Sequence, residues 1–372
     1  MKRILALDGG GIRGVFSLMI LARIEEIFRE ERRRPGLVLR DEFDFFAGTS
    51  TGAIIATFLA WGLSASQILE LYETRSGEMF AKASLLERVL QNKFEAQTIA
   101  EFFREQFHEG DPARTPALLG TRKLWVGDTP KYLMVVMRNA TTGSPWPVTN
   151  NPAAMFNDPA LPGCNLQIPL WKLLRASTAA PTYFPPEEIA LGGQTHLFVD
   201  GGVTPFNNPA LLAVLMATLP PYRIGWTPGR DQLHVVSVGT GGERTRLAKH
   251  QAREVHKLDF LEFIAPAFIN TVSVEQDLLC RVFGDCVFGD EIDSELGDLH
   301  GPGLFASAEK KFTYVRYNRE FKADETAELA RATGLKFDLD NLGLIPFLKN
   351  AGRAYAAESV KRGHLFPPGS GG

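Results

Sequence analysis

The sequence predicts an α/β fold in which a mainly parallel central sheet carries helices on both faces. Short apolar runs (ILAL at 4–7, YLMVVMRNA at 132–140, HLFVDGG at 196–202, QLHVVSVGTGG at 232–242) alternate with helical patterns, as crossover-linked strands require. These runs are nearly continuous in apolar character, the mark of strands covered on both sides. Their carboxyl ends carry Asp8-Gly9, Gly48-Thr49-Ser50, Asp200-Gly201 and Gly239-Thr240. Such sheets gather their chemistry at that edge.

In chain order, Ile4–Leu7 reads as a buried strand and residues 15–28 as a helix, apolar nearly all round until charges begin at Arg23. The stretch REERRRPG then ends it at Pro35 and Gly36. EFDFFAGTSTGAIIATFLAWG (42–62) repeats the plan: strand, tight glycine turn, apolar helix, Gly62 as terminator. Ser64 caps the next helix, and residues 66–107 read as helices with mixed faces. After the strand at 132–140, residues 141–169 are dense in Pro, Asn and Gly, and so long an irregular segment is expected to be a cover or binding loop. LWKLLRASTAAPTYFPP (170–186) is a helix halted at Pro181. Beyond about residue 245 the pattern weakens. Arg244, Arg246, Lys249, Arg253 and Lys257 form a basic stretch, GDEIDSELGD lacks the spacing of a calcium loop, and FTYVRYN (312–318) is a late strand.

Composition narrows the class. A chain of 372 residues has ample core for one large domain or two ordinary ones. Hydrophobic content of 45% and charged content of 22% are ordinary for a globular protein. A net charge of −3 leaves no global field to attract a nucleic acid polymer. Cys164, Cys280 and Cys286 form neither a metal spacing nor an even disulfide set, so reduced thiols in a cytoplasm are expected. MKRILALDGGG is too short for a signal-peptide core, and no run reaches the roughly 18 apolar residues of a membrane span. Membrane contact is therefore expected to be peripheral.

Two glycine turns carry the chemistry. Gly9, Gly11 and Gly14 satisfy G-x-G-x-x-G, the spacing of a dinucleotide pyrophosphate cradle. That fold wants an acidic residue closing its second strand, whereas this second strand runs into GTSTG (48–52), and Asp8 would oppose a pyrophosphate. GTSTG fits the nucleophile elbow G-x-S-x-G, with Gly48 and Gly52 allowing the backbone to crowd around Ser50. Attack by Ser50 on an ester creates an oxyanion that needs preorganised donors. Gly9, Gly10 and Gly11 offer consecutive amides, and Arg13 adds a positive charge that either supports the anion or pairs with Asp8. For the base, none of His108, His196, His234, His250, His256, His300 and His364 stands at a strand–glycine end. Asp200 does, and a carboxylate held close to Ser50 can take its proton directly. Two other readings remain open here: a Ser–Asp–His esterase using a histidine after Asp200, and a non-hydrolytic nucleotide-binding switch using GGGIRG.

DGGGIRG (8–14), GTSTG (48–52) and DGG (200–202), in that order and setting, resemble the patatin-like phospholipases. RASTAAPTYFPP, DGGVTPFNNPALLA and SVGTGG extend the likeness over roughly residues 1–245. The resemblance implies a three-layer α/β fold and a lipid acyl hydrolase with a Ser50–Asp200 dyad. It further implies an oxyanion hole at Gly9–Gly11 supported by Arg13, and neither cofactor nor metal at the dyad. PTYFPP is expected near the acyl site. The chain then divides into a catalytic core at 1–245 and an extension at 246–372, packed on the same domain and regulatory. That extension is similar in general look to bacterial antiphage effectors switched on by cyclic oligonucleotides. The implied partners are a phospholipid surface at the inner membrane, a cyclic di- or trinucleotide activator and a second copy of the chain.

Overall fold

KRILAL forms strand β1 (Lys2–Leu7), buried at every position but the first. In this computed structural model, which describes residues 1–80, 88–181, 183–243, 257–301 and 303–367, β1 lies near the middle of a nine-stranded sheet. The other strands are β2 (Phe45–Thr49), β3 (Tyr132–Asn139), β4 (Ser144–Thr149), β5 (Glu187–Leu191), β6 (Gln194–Asp200), β7 (Leu233–Val238), β8 (Asp285–Phe288) and β9 (Thr313–Tyr317). Their spatial order is β8-β9-β7-β1-β2-β3-β6-β5, with β4 on the other edge of β3. The six strands from β8 to β3 run parallel.

Side chains alternate across this sheet and build two cores. Leu5, Leu7, Phe46, Val135 and Val236 join one cluster with the helices α1 (Gly14–Arg32), α2 (Thr51–Trp61), α3 (Ala65–Phe80), α4 (Arg88–Gln106) and α5 (Leu170–Ser177). Ile4, Ala6, Phe45, Ala47 and Val235 join the other with α6 (Ala210–Thr218) and Cys280 of α7 (Lys257–Phe283). The helices α8 (Ala323–Thr333) and α9 (Ile345–Ser359) follow β9. The expected layering of helix, sheet and helix is present. Ser64 caps α3 as read: its hydroxyl accepts the Gln67 N–H at 3.2 Å and the Gln67 side chain returns to the Ser64 N–H at 2.9 Å.

Two sequence expectations need correction. The 141–169 segment is not wholly irregular, because residues 144–149 fold back on β3 as the antiparallel strand β4. The chain after β4 is anchored at the start of β3, where Asn150 accepts from Leu133 N–H and donates to the Lys131 carbonyl. Second, α5 stops at Ser177, short of Pro181. β6 runs antiparallel to β3, a direction the sequence left unassigned. The strand EEIAL, now β5, was not expected at all; its two leading glutamates leave an apolar run of only three residues, 189–191.

The antiparallel run of β6 matters most. β2 pairs with residues 132–136 of β3, ending at Thr49 opposite Val136. β6 pairs with residues 137–139, ending at Asp200 opposite Met137. Because β4 fills the opposite edge of β3, β2 and β6 share one edge and meet end to end. Their carboxyl termini fall on consecutive register positions.

Candidate active site

The end-to-end meeting sets the site. Ser50 follows Thr49 with φ 54° and ψ −125°, a strained conformation of the nucleophile-elbow kind that costs about 1–3 kcal/mol. The surroundings hold it there. Thr49 Oγ1 donates to the Phe206 carbonyl at 2.7 Å. The Ser50 N–H donates to Ser177 Oγ at 3.0 Å, and that hydroxyl donates onward to the Val136 carbonyl at 2.7 Å. A Cβ on Gly48 would strike the Gly52 carbonyl, and one on Gly52 would strike the Leu7 carbonyl. Both elbow glycines are thus required by close approach.

Ser50 is partly exposed, and its hydroxyl donates to Asp200 Oδ2 at 2.6 Å across 150 residues of chain. Asp200 Oδ1 accepts the Gly202 N–H at 2.7 Å, which fixes the carboxyl plane. Burial pushes the Asp200 carboxyl up to about 6, against the pull of the hydrogen bonds from Ser50 and Gly202. A carboxylate poised near neutrality and bonded to a hydroxyl is suited to general-base work.

The first glycine turn lies beside this pair, and a Cβ built on Gly9 would touch Ser50 Cβ at 3.2 Å. Its amides are not equivalent. The Gly9 N–H donates to the Asn207 carbonyl at 3.2 Å, while the Gly9 carbonyl accepts from Thr240 Oγ1 at 3.1 Å. Among the described residues no acceptor meets the N–H groups of Gly10 and Gly11. The reading of three open amides narrows to two. Gly9 instead supplies room, as its Cα faces both Asn207 and Ser50.

Arg13 does not pair with Asp8. Its Nε reaches the Gly10 carbonyl at 3.4 Å and its guanidinium stands 6.0 Å from the Phe337 ring. Burial lowers its pKa to about 10, so it stays cationic. The partner of Asp8 is Arg316 of β9, through bonds of 2.8 and 2.6 Å. Sequence reasoning took FTYVRYN only as a strand; a lone arginine inside so apolar a run was the available signal. It also missed Ser177, although the RASTAAP segment was singled out.

Among the described residues no histidine bonds Ser50 or Asp200. His108 Nδ1 accepts from the Gly110 N–H, His196 bonds Asn139, and His300 pairs with Asp298. His234 is fully buried within β7 at the register of Arg3, and His364 packs on Phe288 and Tyr317. His250, His256 and the basic residues from Arg244 to Arg253 lie outside the described residues. Among the described residues there is also no grouping of His, Cys, Asp and Glu able to hold a metal ion.

A family model described as patatin-like phospholipase matches residues 5–214, more than half of the chain. A protein of Vibrio cholerae named cGAMP-activated phospholipase is 29% identical over 257 residues, covering 66% of each chain. One of the same name from Escherichia coli is 27% identical, covering 65% of this chain and 62% of its own. The calcium-independent phospholipase A2-gamma of Mus musculus is 31% identical, covering 64% of this chain and 28% of its own. The chain therefore spans just under two thirds of the two bacterial relatives it matches and far less of the mouse one. With the elbow, the aspartate and the glycine turn all within residues 5–214, the chain belongs to the patatin-like phospholipase family.

Proposed function

We propose that the protein is a lipid acyl hydrolase of the phospholipase A or lysophospholipase type. The observation that carries this is the 2.6 Å hydrogen bond between Ser50 and Asp200 beside the open amides of Gly10 and Gly11. Ser50 Oγ attacks the ester carbonyl while Asp200 takes its proton. The tetrahedral oxyanion forms against the Gly10 and Gly11 N–H groups, with the amino terminus of α2 directing further positive potential at it. Collapse breaks the carbonyl–alkoxide bond, and Asp200 returns the proton to the departing alcohol. Water then attacks the acyl-Ser50 ester, Asp200 takes its proton, and the departing Ser50 alkoxide recovers that proton as the free acid leaves. No histidine is needed in this cycle.

The membrane is reached peripherally in this proposal: no helix among the described residues is long and apolar enough to cross it. Activation by a cyclic di- or trinucleotide in antiviral defence is supported by the names of the two bacterial relatives. A cytoplasmic resting place, attachment to the inner membrane when active, and self-association complete the reading. The test is acid release from bacterial phospholipid liposomes, with and without a panel of cyclic nucleotides, and with Ser50→Ala as control. Ser50-dependent release that rises with one nucleotide is expected. Full release without any nucleotide overturns the gate. Failure of Ser50 to react with a fluorophosphonate, together with no release, overturns the hydrolase.

A further inference from the structure

We infer that Arg316, from the part of the chain beyond the family match, is the positioning residue that holds the oxyanion loop in shape. Asp8 is the last residue before the glycines and the first after β1. Its side chain is 6% exposed and that of Arg316 is 5% exposed, so this two-point ion pair is almost dry. The guanidinium reaches across three adjacent strands. Arg316 on β9 stands opposite Ser237 on β7, which stands opposite Ala6 on β1. Arg316 Nη1 bonds both Ser237 Oγ at 2.8 Å and Asp8 Oδ1 at 2.8 Å, and Nη2 bonds Asp8 Oδ2 at 2.6 Å.

The direction of the Asp8 side chain bears on the amides that come after it. Asp8 is fastened at both ends, its N–H to the Val238 carbonyl at 3.1 Å and its carboxylate to Arg316. The next residue is Gly9, packed on Ser50, and the next two carry the open amides. With no side chains to hold them, Gly10 and Gly11 take their orientation from their anchors: Asp8 on one side, and on the other Ile12, whose N–H donates to the Leu339 carbonyl at 2.8 Å. Both anchors are gripped from beyond residue 214. Without Arg316 the buried carboxylate has lost its charge partner, and it must either take up a proton or turn toward water. Either change redirects the backbone that aims the donors.

This inference rests on the hydrolase reading, and the experiment separates the two. Arg316→Met, Arg316→Lys and the double variant Asp8→Asn/Arg316→Met are compared with wild type by thermal unfolding, by kcat and KM on a soluble ester, and by hydrogen exchange over residues 8–13. The expected result for Arg316→Met is a fall in kcat of about 100-fold or more, of the size seen when an oxyanion donor is lost, with KM within about threefold. Exchange over residues 8–13 should quicken. Arg316→Lys keeps the charge without the fork and should recover part of kcat. Should Arg316→Met fail to fold, the double variant, which buries no unpaired charge, decides: it should unfold near the wild-type temperature yet keep the loss in kcat. Wild-type kcat in a folded Arg316→Met or double variant, with unchanged exchange over 8–13, overturns the inference while leaving the hydrolase intact. If wild type shows no turnover with any nucleotide of the panel and Ser50 takes up no fluorophosphonate, the hydrolase reading fails, and hydrogen exchange alone still tests the loop.

Discussion

Asp200 is asked to do two things that conflict. Burial raises its carboxyl from 3.8 to about 6, yet the proposed base must be ionised. The sign comes from that: the folded protein holds a proton that the unfolded chain releases between about pH 4 and pH 6. Ionised Asp200 therefore weakens the fold above pH 6, by about 3 kcal/mol from the difference of 6 and 3.8, and this cost fades as pH falls toward 4. Asp200→Asn is predicted to abolish ester turnover while raising the unfolding temperature at pH 8, with a smaller gain at pH 5; calorimetry at both pH values checks it. In wild type, kcat/KM should fall below about pH 6 as the base protonates, read from a pH–rate profile. Ser50→Ala should lose turnover and fluorophosphonate labelling together, with the fold kept.

Strand ends decide the site one level up. β2 and β6 approach along one edge of β3, and each contributes only its last residues: Thr49 leading into Ser50, and Asp200. The elbow also depends on α5, whose final residue Ser177 bridges the Ser50 N–H and the Val136 carbonyl. Removing that hydroxyl leaves a buried N–H without its acceptor, a loss of about 1–3 kcal/mol. Ser177→Ala should therefore unfold at lower temperature and turn over more slowly, by roughly tenfold, because the strained φ of Ser50 has lost a restraint. Thermal unfolding and steady-state kinetics on the same preparation measure both. This link was illegible beforehand, since Ser177 and Ser50 are 127 residues apart and a serine ending a helix is an ordinary event.

Taken as one body, the molecule does not stop where the family match does. β9 sits between β7 and β8 in the central sheet, so residues beyond 245 extend the layer that carries the elbow. The side chain of Asn207 donates to Ser273 of α7 at 2.9 Å, while its backbone carbonyl receives the Gly9 N–H. Arg316 and Leu339 grip the same loop from elsewhere. A chain ending at residue 245 would expose the edge of β7 and leave Asp8 buried without a counter-charge. Such a truncation is predicted to be insoluble or to lack cooperative unfolding, checked by circular dichroism on heating. The 1–245 match in motifs thus understates what the active loop needs.

Much of this was readable in the one-dimensional text. Apolar runs broken by glycines announced the layered sheet, and GTSTG between an apolar strand and an apolar helix announced the elbow, because periodicity and turn chemistry are local properties of neighbouring residues. Strand direction was not readable, since an apolar run looks alike whether it points up or down the sheet; β6 runs antiparallel to β3 and so delivers Asp200 to Ser50. Nor were the partners of Asp8, Ser50 and Gly9 readable. Arg316, Ser177 and Asn207 lie far along the chain, and hydrogen bonds made across such separations leave no local spacing behind. They exist only once burial has brought the strands into register.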